Sequence, residues 1–280
     1  YYTHLFRNSK KVELNGRYTH HAIFDETIKF IKNNKDKPFF LYCPWTPPHA
    51  AYQIPEDEPA WKMYKDKPWP HDARVAAAMD TMMDRHVGEI TALLKKLGIY
   101  QNTLMFFTSD NGAAKRFDGI HNSSGVMQGK KRSLNEGGIR VPMVVRWPNK
   151  IKAGRVSSHP WYFPDVMPTF AEIGGVSTEV PEDIDGISIL PTLLDKGVQK
   201  QHEYMFWQYG VRAVRSGKWK GIGKGGHLYL YDLSEDIEEK NDLSSNHPKI
   251  AARMKKYITI GYREPRSQKD DGKYTGKDKK

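Results

Sequence analysis

The sequence predicts an α/β fold in which helices flank a mostly parallel sheet, followed by a small α+β domain with an antiparallel sheet. Two observations support this prediction. Up to about Leu194, short apolar runs typical of buried strands alternate with longer segments in which apolar residues recur every three or four positions. After Leu194, short aromatic runs are separated by turns containing glycine and serine, which is typical of antiparallel strands.

Two amphipathic helices are predicted in the first hundred residues. The first runs from Thr19, interpreted as its N-cap, to about Asn34. The second spans roughly His71 to Leu97 and has the most regular apolar stripe of the chain. Gly98 follows directly and is well placed to end this helix.

Three short apolar runs are predicted as strands of the main sheet. They are P-F-F-L-Y-C at 38–43, interpreted as a buried strand, T-L-M-F-F-T at 103–108 and P-M-V-V-R at 142–146. A further helix fits Phe163–Ile173. The order of strand, long helix and strand is typical of a parallel sheet.

In the C-terminal part, the runs at 204–209, 211–214 and 228–233 predict short antiparallel strands. A final helix is predicted for Pro248–Ile258.

Length and composition predict two domains and a tail. The chain has 280 residues, of which 38% are hydrophobic, so it can form a sizeable core. We expect the α/β part to cover residues 1–195, the small domain 196–262, and a basic disordered tail 263–280. No apolar run approaches the roughly 20 residues that span a bilayer, so no membrane partner is expected.

The net charge of +11 leaves three interpretations open: a nucleic-acid binder, an enzyme for polyanions such as sulfated glycans, or a basic surface without a specific partner. Outside the tail the basic residues are scattered, and we predict no nucleic-acid partner. Cys43 is the single cysteine, so no intrachain disulfide can form, and the redox compartment stays open.

Asp110 and Asn111 follow a predicted strand, where ligands bind in open α/β sheets. Both side chains offer the hard oxygen atoms that Ca²⁺ or Mg²⁺ prefers, and Gly112 allows a tight turn after them. The same D-N-G sequence is also ordinary turn chemistry, so the motif alone does not decide between a metal site and a turn.

Two further residues are candidates for chemistry. His49 follows the predicted strand at 38–43, and histidine titrates close to neutral pH, so it could donate a proton or bind an anion. Lys131 lies in a loop flanked by glycines and could reach an anion as a point charge. Each could equally be an ordinary surface residue of its loop.

The order of these motifs is more specific than any one of them. The chain reads F-F-L-Y-x-x-x-x-P-P-H, then T-S-D-N-G, then G-K-K-x-x-x-x-E-G-G-I-R-V-P. With D-V-M-P-T at 165–169, K-W-K at 218–220 and L-Y-D-L at 230–233, it resembles the sulfatase family of the alkaline phosphatase superfamily. The resemblance covers about residues 17–250.

The resemblance implies a role for several residues. Asp110 and Asn111 match two ligands of a calcium ion, Lys131 matches the lysine that binds the sulfate, and His49 matches the histidine that contacts sulfate and can protonate the leaving group. Glu136 and the residues after it match a structural turn. His121 lies between the motifs and is a candidate for a substrate subsite. The implied reaction is hydrolysis of a sulfate ester by a formylglycine nucleophile, with Ca²⁺ offsetting the charge on the sulfate oxygens.

The chain departs from the family pattern in one serious respect. The C/S-x-P-S/A-R motif that yields formylglycine is absent, since Cys43 starts C-P-W-T-P. We therefore expect the chain to be the C-terminal part of a sulfatase, inactive alone and weak in calcium binding. We also expect it to expose a sheet edge and apolar faces.

Two other functions remain open. Phosphodiesterases and phosphonate hydrolases of the same superfamily share the metal site, and an inactive chain that only binds polyanions would fit the charge. A carbohydrate sulfate is the favoured substrate, with a small aryl sulfate as the other choice. Relatives are exported, so the resemblance implies a periplasmic or extracellular location.

Overall fold

The computed structural model describes residues 3–263, so the predicted tail at 263–280 lies outside the described residues except for Arg263. The described chain forms two compact units. The first holds the residues up to Met105 together with Gly119–His121 and Trp147–Asn149, and the second holds the rest. The second unit contains residues on both sides of position 195, and the domain boundary drawn there stays a prediction.

The first unit is mainly helical. It begins with an antiparallel hairpin and continues with three helices: β1 (His4–Arg7), β2 (Lys10–Glu13), α1 (Thr19–Asn34), α2 (Pro59–Tyr64) and α3 (His71–Lys96). The bounds predicted for α1 are confirmed and those for α3 differ by one residue. Thr19 is the first helical residue of α1 and not its N-cap. That position belongs to Tyr18, whose backbone is extended.

The core of the first unit lies along α3, which has a buried apolar stripe at helical spacing. Its largest cluster packs α3 against α2 and Tyr18 through these residues: Tyr18, Ala60, Trp61, Val75, Ala78, Met79 and Met82. A second cluster joins Ile31 of α1 to Leu94 of α3 and Tyr100. Gly98 has a φ of +74°, which explains why the helix ends just before it.

The predicted buried strand at 38–43 is wrong, because the structure assigns no strand there. Exposure nevertheless alternates along it: Phe39 and Leu41 are partly buried beside α1, whereas Phe40 is 69% and Tyr42 75% exposed. A strand is defined by hydrogen bonds to a neighbouring strand, and no strand of the described residues pairs with this segment.

The other two predicted strands are present at slightly shorter bounds: β3 (Met105–Thr108) and β4 (Met143–Arg146), which pair in a two-stranded sheet. The short helix α4 (Glu136–Ile139) lies between them in the chain, and two more short helices follow β4: α5 (Val166–Gly174) and α6 (Leu190–Leu194). The predicted helix 163–173 is confirmed as a 3-10 turn that leads into α5.

The predicted small antiparallel sheet is confirmed, and it has four strands in sequential order: β5 (Met205–Tyr209), β6 (Val211–Ser216), β7 (Trp219–Lys224) and β8 (His227–Asp232). α7 (Pro248–Ile260) packs on one face through Met254, which is fully buried against Val214 and Leu230. The other face carries Ala213 and Ile222 and packs against Leu134.

Within the described residues, none of the helices is both long enough and apolar enough to cross a membrane.

A cluster of histidines is buried between α1 and α3 in the first unit. His20 Nε2 lies 3.0 Å from His86 Nδ1, and the ring of His86 stacks on Phe24 at 3.9 Å. Burial, followed by the charges of His86 and His21, lowers the pKa of His20 to about 4. Burial, followed by the charges of Arg85 and His21, does the same to His86, against the opposite effect of Glu58.

This cluster predicts acid sensitivity of the first unit. The folded pKa of about 4 lies below the usual 6.5, so the unfolded state binds more protons between these values and stability falls as pH drops through that window. We expect the free energy of unfolding to fall by about 1–3 kcal/mol between pH 7 and pH 5. Urea denaturation followed by tryptophan fluorescence measures it.

His20→Gln keeps a hydrogen-bonding group but cannot be protonated, so it should reduce the pH dependence. His71→Gln, at the exposed start of α3, is the matched control and should keep the wild-type pH dependence. An identical pH dependence in wild type and His20→Gln would contradict this explanation.

Candidate active site

The turn Asp110-Asn111-Gly112 begins two residues after the end of β3. Asp110 is exposed and Asn111 is partly buried. Gly112 donates its backbone N–H to Gly138 O at 2.9 Å, and a Cβ at Gly112 would overlap the carbonyl of Gly137. Only glycine allows this close approach of two backbones. The turn is therefore fixed against the E-G-G segment that begins α4.

The loop that carries Lys131 packs against the same turn. Lys131 donates its backbone N–H to Ala113 O at 2.7 Å, and Gly137 donates to Gln128 O at 2.7 Å. The second bond closes the loop 128–137 on itself. The structure thus brings Lys131 next to the segment that directly follows Asp110 and Asn111, as the motifs require.

Lys131 is partly buried, and neither it nor Asp110 forms an ion pair with another described residue. The adjacent Lys130 does, since its Nζ lies 3.2 Å from Asp118 Oδ1. The two neighbouring lysines therefore differ: Lys130 is paired within the fold, whereas Lys131 has no ion-pair partner among residues 3–263.

Glu136, at the start of α4, lies in a buried network of charges. Its Oε1 accepts a hydrogen bond from Lys220 Nζ at 2.8 Å, and its Oε2 accepts one from Arg140 Nε at 2.6 Å. Burial alone would raise the pKa of Glu136, but the charges and hydrogen bonds of Lys220 and Arg140 outweigh it and lower that pKa. Glu136 is therefore ionised and structural, as the resemblance implied.

His49 is exposed in the loop after Pro47-Pro48, and it belongs to the first unit. Its Nδ1 lies 2.7 Å from the backbone oxygen of Ala50. A carbonyl can only accept, so Nδ1 carries a proton there, and Nε2 is the atom that can exchange a proton with a substrate. The convergence of His49 with the groups of the second unit stays a prediction.

His121 also belongs to the first unit, and its ring lies edge-on to Trp69 at a centroid distance of 5.4 Å. Burial lowers the pKa of His121, partly offset by a hydrogen bond that involves the backbone of Ala73. These contacts give the residue a packing role, and its place in a substrate subsite stays a prediction.

The chemistry of Asp110 and Asn111 fits a calcium ion, because a carboxylate and an amide carbonyl are the oxygen donors that Ca²⁺ takes. These two side chains alone do not complete a calcium site, since Ca²⁺ takes 6–8 oxygen ligands. Among residues 3–263, no cluster of three or more His, Cys, Asp or Glu side chains could hold a metal. Further ligands would have to join these two.

Sequence reasoning missed Lys220 and Glu239 as parts of this region. Lys220 is 0% exposed on β7, and its Nζ lies 3.0 Å from Glu239 Oε1 as an ion pair. The burial of Lys220 could not be predicted from the sequence, because W-K-G-I-G-K has two glycines and two lysines and is not typical of a strand. A buried lysine needs a buried carboxylate, and Glu136 of E-G-G supplies one.

Two family models match the chain. One, described as "Sulfatase", matches residues 1–176, and the other, described as "N-sulphoglucosamine sulphohydrolase, C-terminal", matches residues 128–261.

Curated relatives agree with these matches. The chain is 34% identical to human steryl-sulfatase over 263 residues, which is 78% of this chain and 43% of that protein. It is 29% identical to the N-acetylgalactosamine-6-O-sulfatase of Bacteroides thetaiotaomicron over 267 residues, 84% of this chain and 49% of that protein. The chain thus spans less than half the length of both.

Solved structures share the fold. Ps i-CgsB, in complex with k-i-k-neocarrahexaose, has a TM-score of 0.79 at 30% identity over 91% of this chain and 56% of that one. The PsFucS1 sulfatase of Pseudoalteromonas sp. has a TM-score of 0.69 at 24% identity over 86% and 52%. The predicted α/β fold of alkaline phosphatase type is confirmed, and the chain, matched over residues 1–176 by the family model, belongs to the sulfatase family.

Proposed function

We propose that the protein containing this chain hydrolyses carbohydrate sulfate esters, with Ca²⁺ at Asp110 and Asn111 and a formylglycine nucleophile supplied by a part of the protein N-terminal to this chain. The observation that supports it most is the backbone hydrogen bond from Lys131 to Ala113, 2.7 Å long. It holds the backbone of Lys131, a lysine without an ion-pair partner among the described residues, against the segment that follows two candidate oxygen donors for a cation.

The residues of this chain would each have a distinct task. The ammonium group of Lys131 binds a sulfate oxygen and offsets the negative charge that develops there. His49 uses Nε2 to protonate the leaving alcohol. Asp110 and Asn111 hold Ca²⁺, which when bound supplies Lewis-acid stabilisation of the sulfate oxygens.

A carbohydrate substrate is favoured by the net charge of +11 and by the names of two relatives. One is the N-acetylgalactosamine-6-O-sulfatase, and the other is the structure with a bound neocarrahexaose. Export to the periplasm or the cell exterior, expected from the family resemblance, is part of the same proposal.

The substrate class can be tested on the complete protein, purified after co-expression with a formylglycine-generating enzyme. We expect release of inorganic sulfate from a 6-sulfated hexosamine with a kcat/KM at least tenfold above that for an aryl sulfate. A phosphonate monoester is the third substrate of the panel. A preference for the phosphonate would support the phosphonate hydrolase alternative and contradict the proposal.

Two substitutions test the assignment of Lys131 and His49. In the complete protein, Lys131→Ala and His49→Ala should each lower kcat/KM at least tenfold, which corresponds to about 1.4 kcal/mol of barrier. Lys130→Ala is the matched control for Lys131, because Lys130 forms an ion pair with Asp118, and it should stay within a factor of about two of wild type. Wild-type rates in both test variants would refute the two roles.

A third substitution tests the metal site with a readout that does not need turnover. Ca²⁺ should raise the melting temperature of the complete protein, because a ligand that binds only the folded state stabilises it. Asp110→Ala should raise the Ca²⁺ concentration needed for half of that shift at least tenfold. Asp118→Ala, an exposed carboxylate nearby in the chain, should leave it unchanged. Equal Ca²⁺ responses in wild type and Asp110→Ala would rule out this site.

A further inference from the structure

Lys220 is a fully buried cation on β7, and it contacts two carboxylates from different parts of the second unit. Its Nζ donates a hydrogen bond to Glu136 Oε1 at 2.8 Å and lies 3.0 Å from Glu239 Oε1. Glu136 and Glu239 are each 2% exposed. One buried ammonium group therefore balances two carboxylates, with Arg140 as the second cation beside Glu136.

Glu239 also contacts both ends of the loop that carries Lys131. Its Oε2 accepts the backbone N–H of Glu136 at 2.7 Å, and its backbone oxygen accepts Gln128 Nε2 at 3.1 Å. Gln128 precedes Lys131 in the chain and Glu136 follows it, so Glu239 contacts the loop on both sides of Lys131.

The middle of the loop depends on these two ends. The bond between the backbones of Lys131 and Ala113 requires that the loop keeps its position relative to the D-N-G turn. If Lys220 loses its charge, two buried carboxylates are left beside each other without their shared cation, which is strongly unfavourable at low dielectric. That repulsion is relieved either by protonation of one carboxylate or by movement of Glu136, Glu239 or both, and either change weakens the contacts that hold the ends of the loop.

We propose that Lys220 and Glu239 are positioning residues, which hold the Lys131 loop against the Asp110-Asn111-Gly112 turn through Glu136. The catalytic meaning of this arrangement rests on the proposed function of Lys131. The physical coupling between Lys220 and the loop does not, and it can be measured separately.

Amide hydrogen exchange on the complete protein tests the coupling. In Lys220→Met, we expect the amides of residues 128–138, above all those of Lys131 and Gly137, to exchange at least tenfold faster than in wild type. The amides of α3 should keep their wild-type rates. Glu239→Gln is the second variant, because it removes one charge but keeps an oxygen for the Glu136 N–H, and it should show the same local pattern to a smaller degree.

The matched control is Met254→Ala, which destabilises the same sheet from its opposite face without contacting the network. It should lower the melting temperature. The ratio of the amide exchange rates of residues 128–138 to those of the sheet should stay unchanged. Unaltered exchange of residues 128–138 in both charge variants, or the same pattern in Met254→Ala, would overturn the coupling.

Kinetics of the complete protein test the consequence for the reaction. Per folded molecule, Lys220→Met should lower kcat at least tenfold with KM within about threefold of wild type, whereas Met254→Ala should keep the wild-type kcat. If kcat falls in proportion to the loss of melting temperature, and by the same proportion in Lys220→Met and Met254→Ala, Lys220 has only a structural role and the proposal is overturned. A wild-type protein without sulfate ester turnover would instead refute the proposed function, and the exchange data would still decide the coupling.

Discussion

The site depends on a contact between two backbones that leaves no room for a side chain. Gly112 donates to Gly138 O, and a Cβ on Gly112 would overlap the carbonyl of Gly137. Gly137 in turn lies so close to the carbonyls of Gln128 and Gly129 that a Cβ there would overlap them. The backbones of the D-N-G turn, the lysine loop and the start of α4 therefore pack directly against one another in one layer.

Such a layer needs a strong anchor, because loops have few apolar contacts of their own. Here the anchor is electrostatic, with Lys220 fully buried between Glu136 and Glu239. A buried ion pair contributes little net stability compared with apolar packing, since desolvation offsets most of the attraction. The ion pair instead restricts the geometry, because it forms only in arrangements in which both carboxylates reach the ammonium group. Under the proposed function, that requirement suits a loop whose lysine has to stay close to the two proposed metal ligands.

Much of the fold could be predicted from the sequence where local periodicity decides the structure. α1 and α3 were found almost to the residue, because an apolar stripe at 3.6-residue spacing identifies a helix whatever packs against it. β7 was not recognised, because W-K-G-I-G-K has two glycines and two lysines in six positions. Its place in the sheet is set by pairing with β6 and β8, which no local pattern reveals. The D-N-G turn and Lys131 were predicted from motif order, while Glu239 was missed because Gln128 and Glu136, which donate hydrogen bonds to it, lie more than a hundred residues away in the chain.

The segment at 38–43 is not a strand in the structure, and the calcium site at Asp110-Asn111 stays a prediction; both depend on partners that the local sequence does not supply. A strand requires a neighbouring backbone, and a calcium ion requires more oxygen donors than two, so neither can be completed by its own residues. Among the described residues neither partner is present. The alternation of exposed Phe40 and Tyr42 with partly buried Phe39 and Leu41 shows that one face of the segment already has a strand's pattern. Under the proposed function, oxygen donors outside this chain would complete the coordination of the calcium ion.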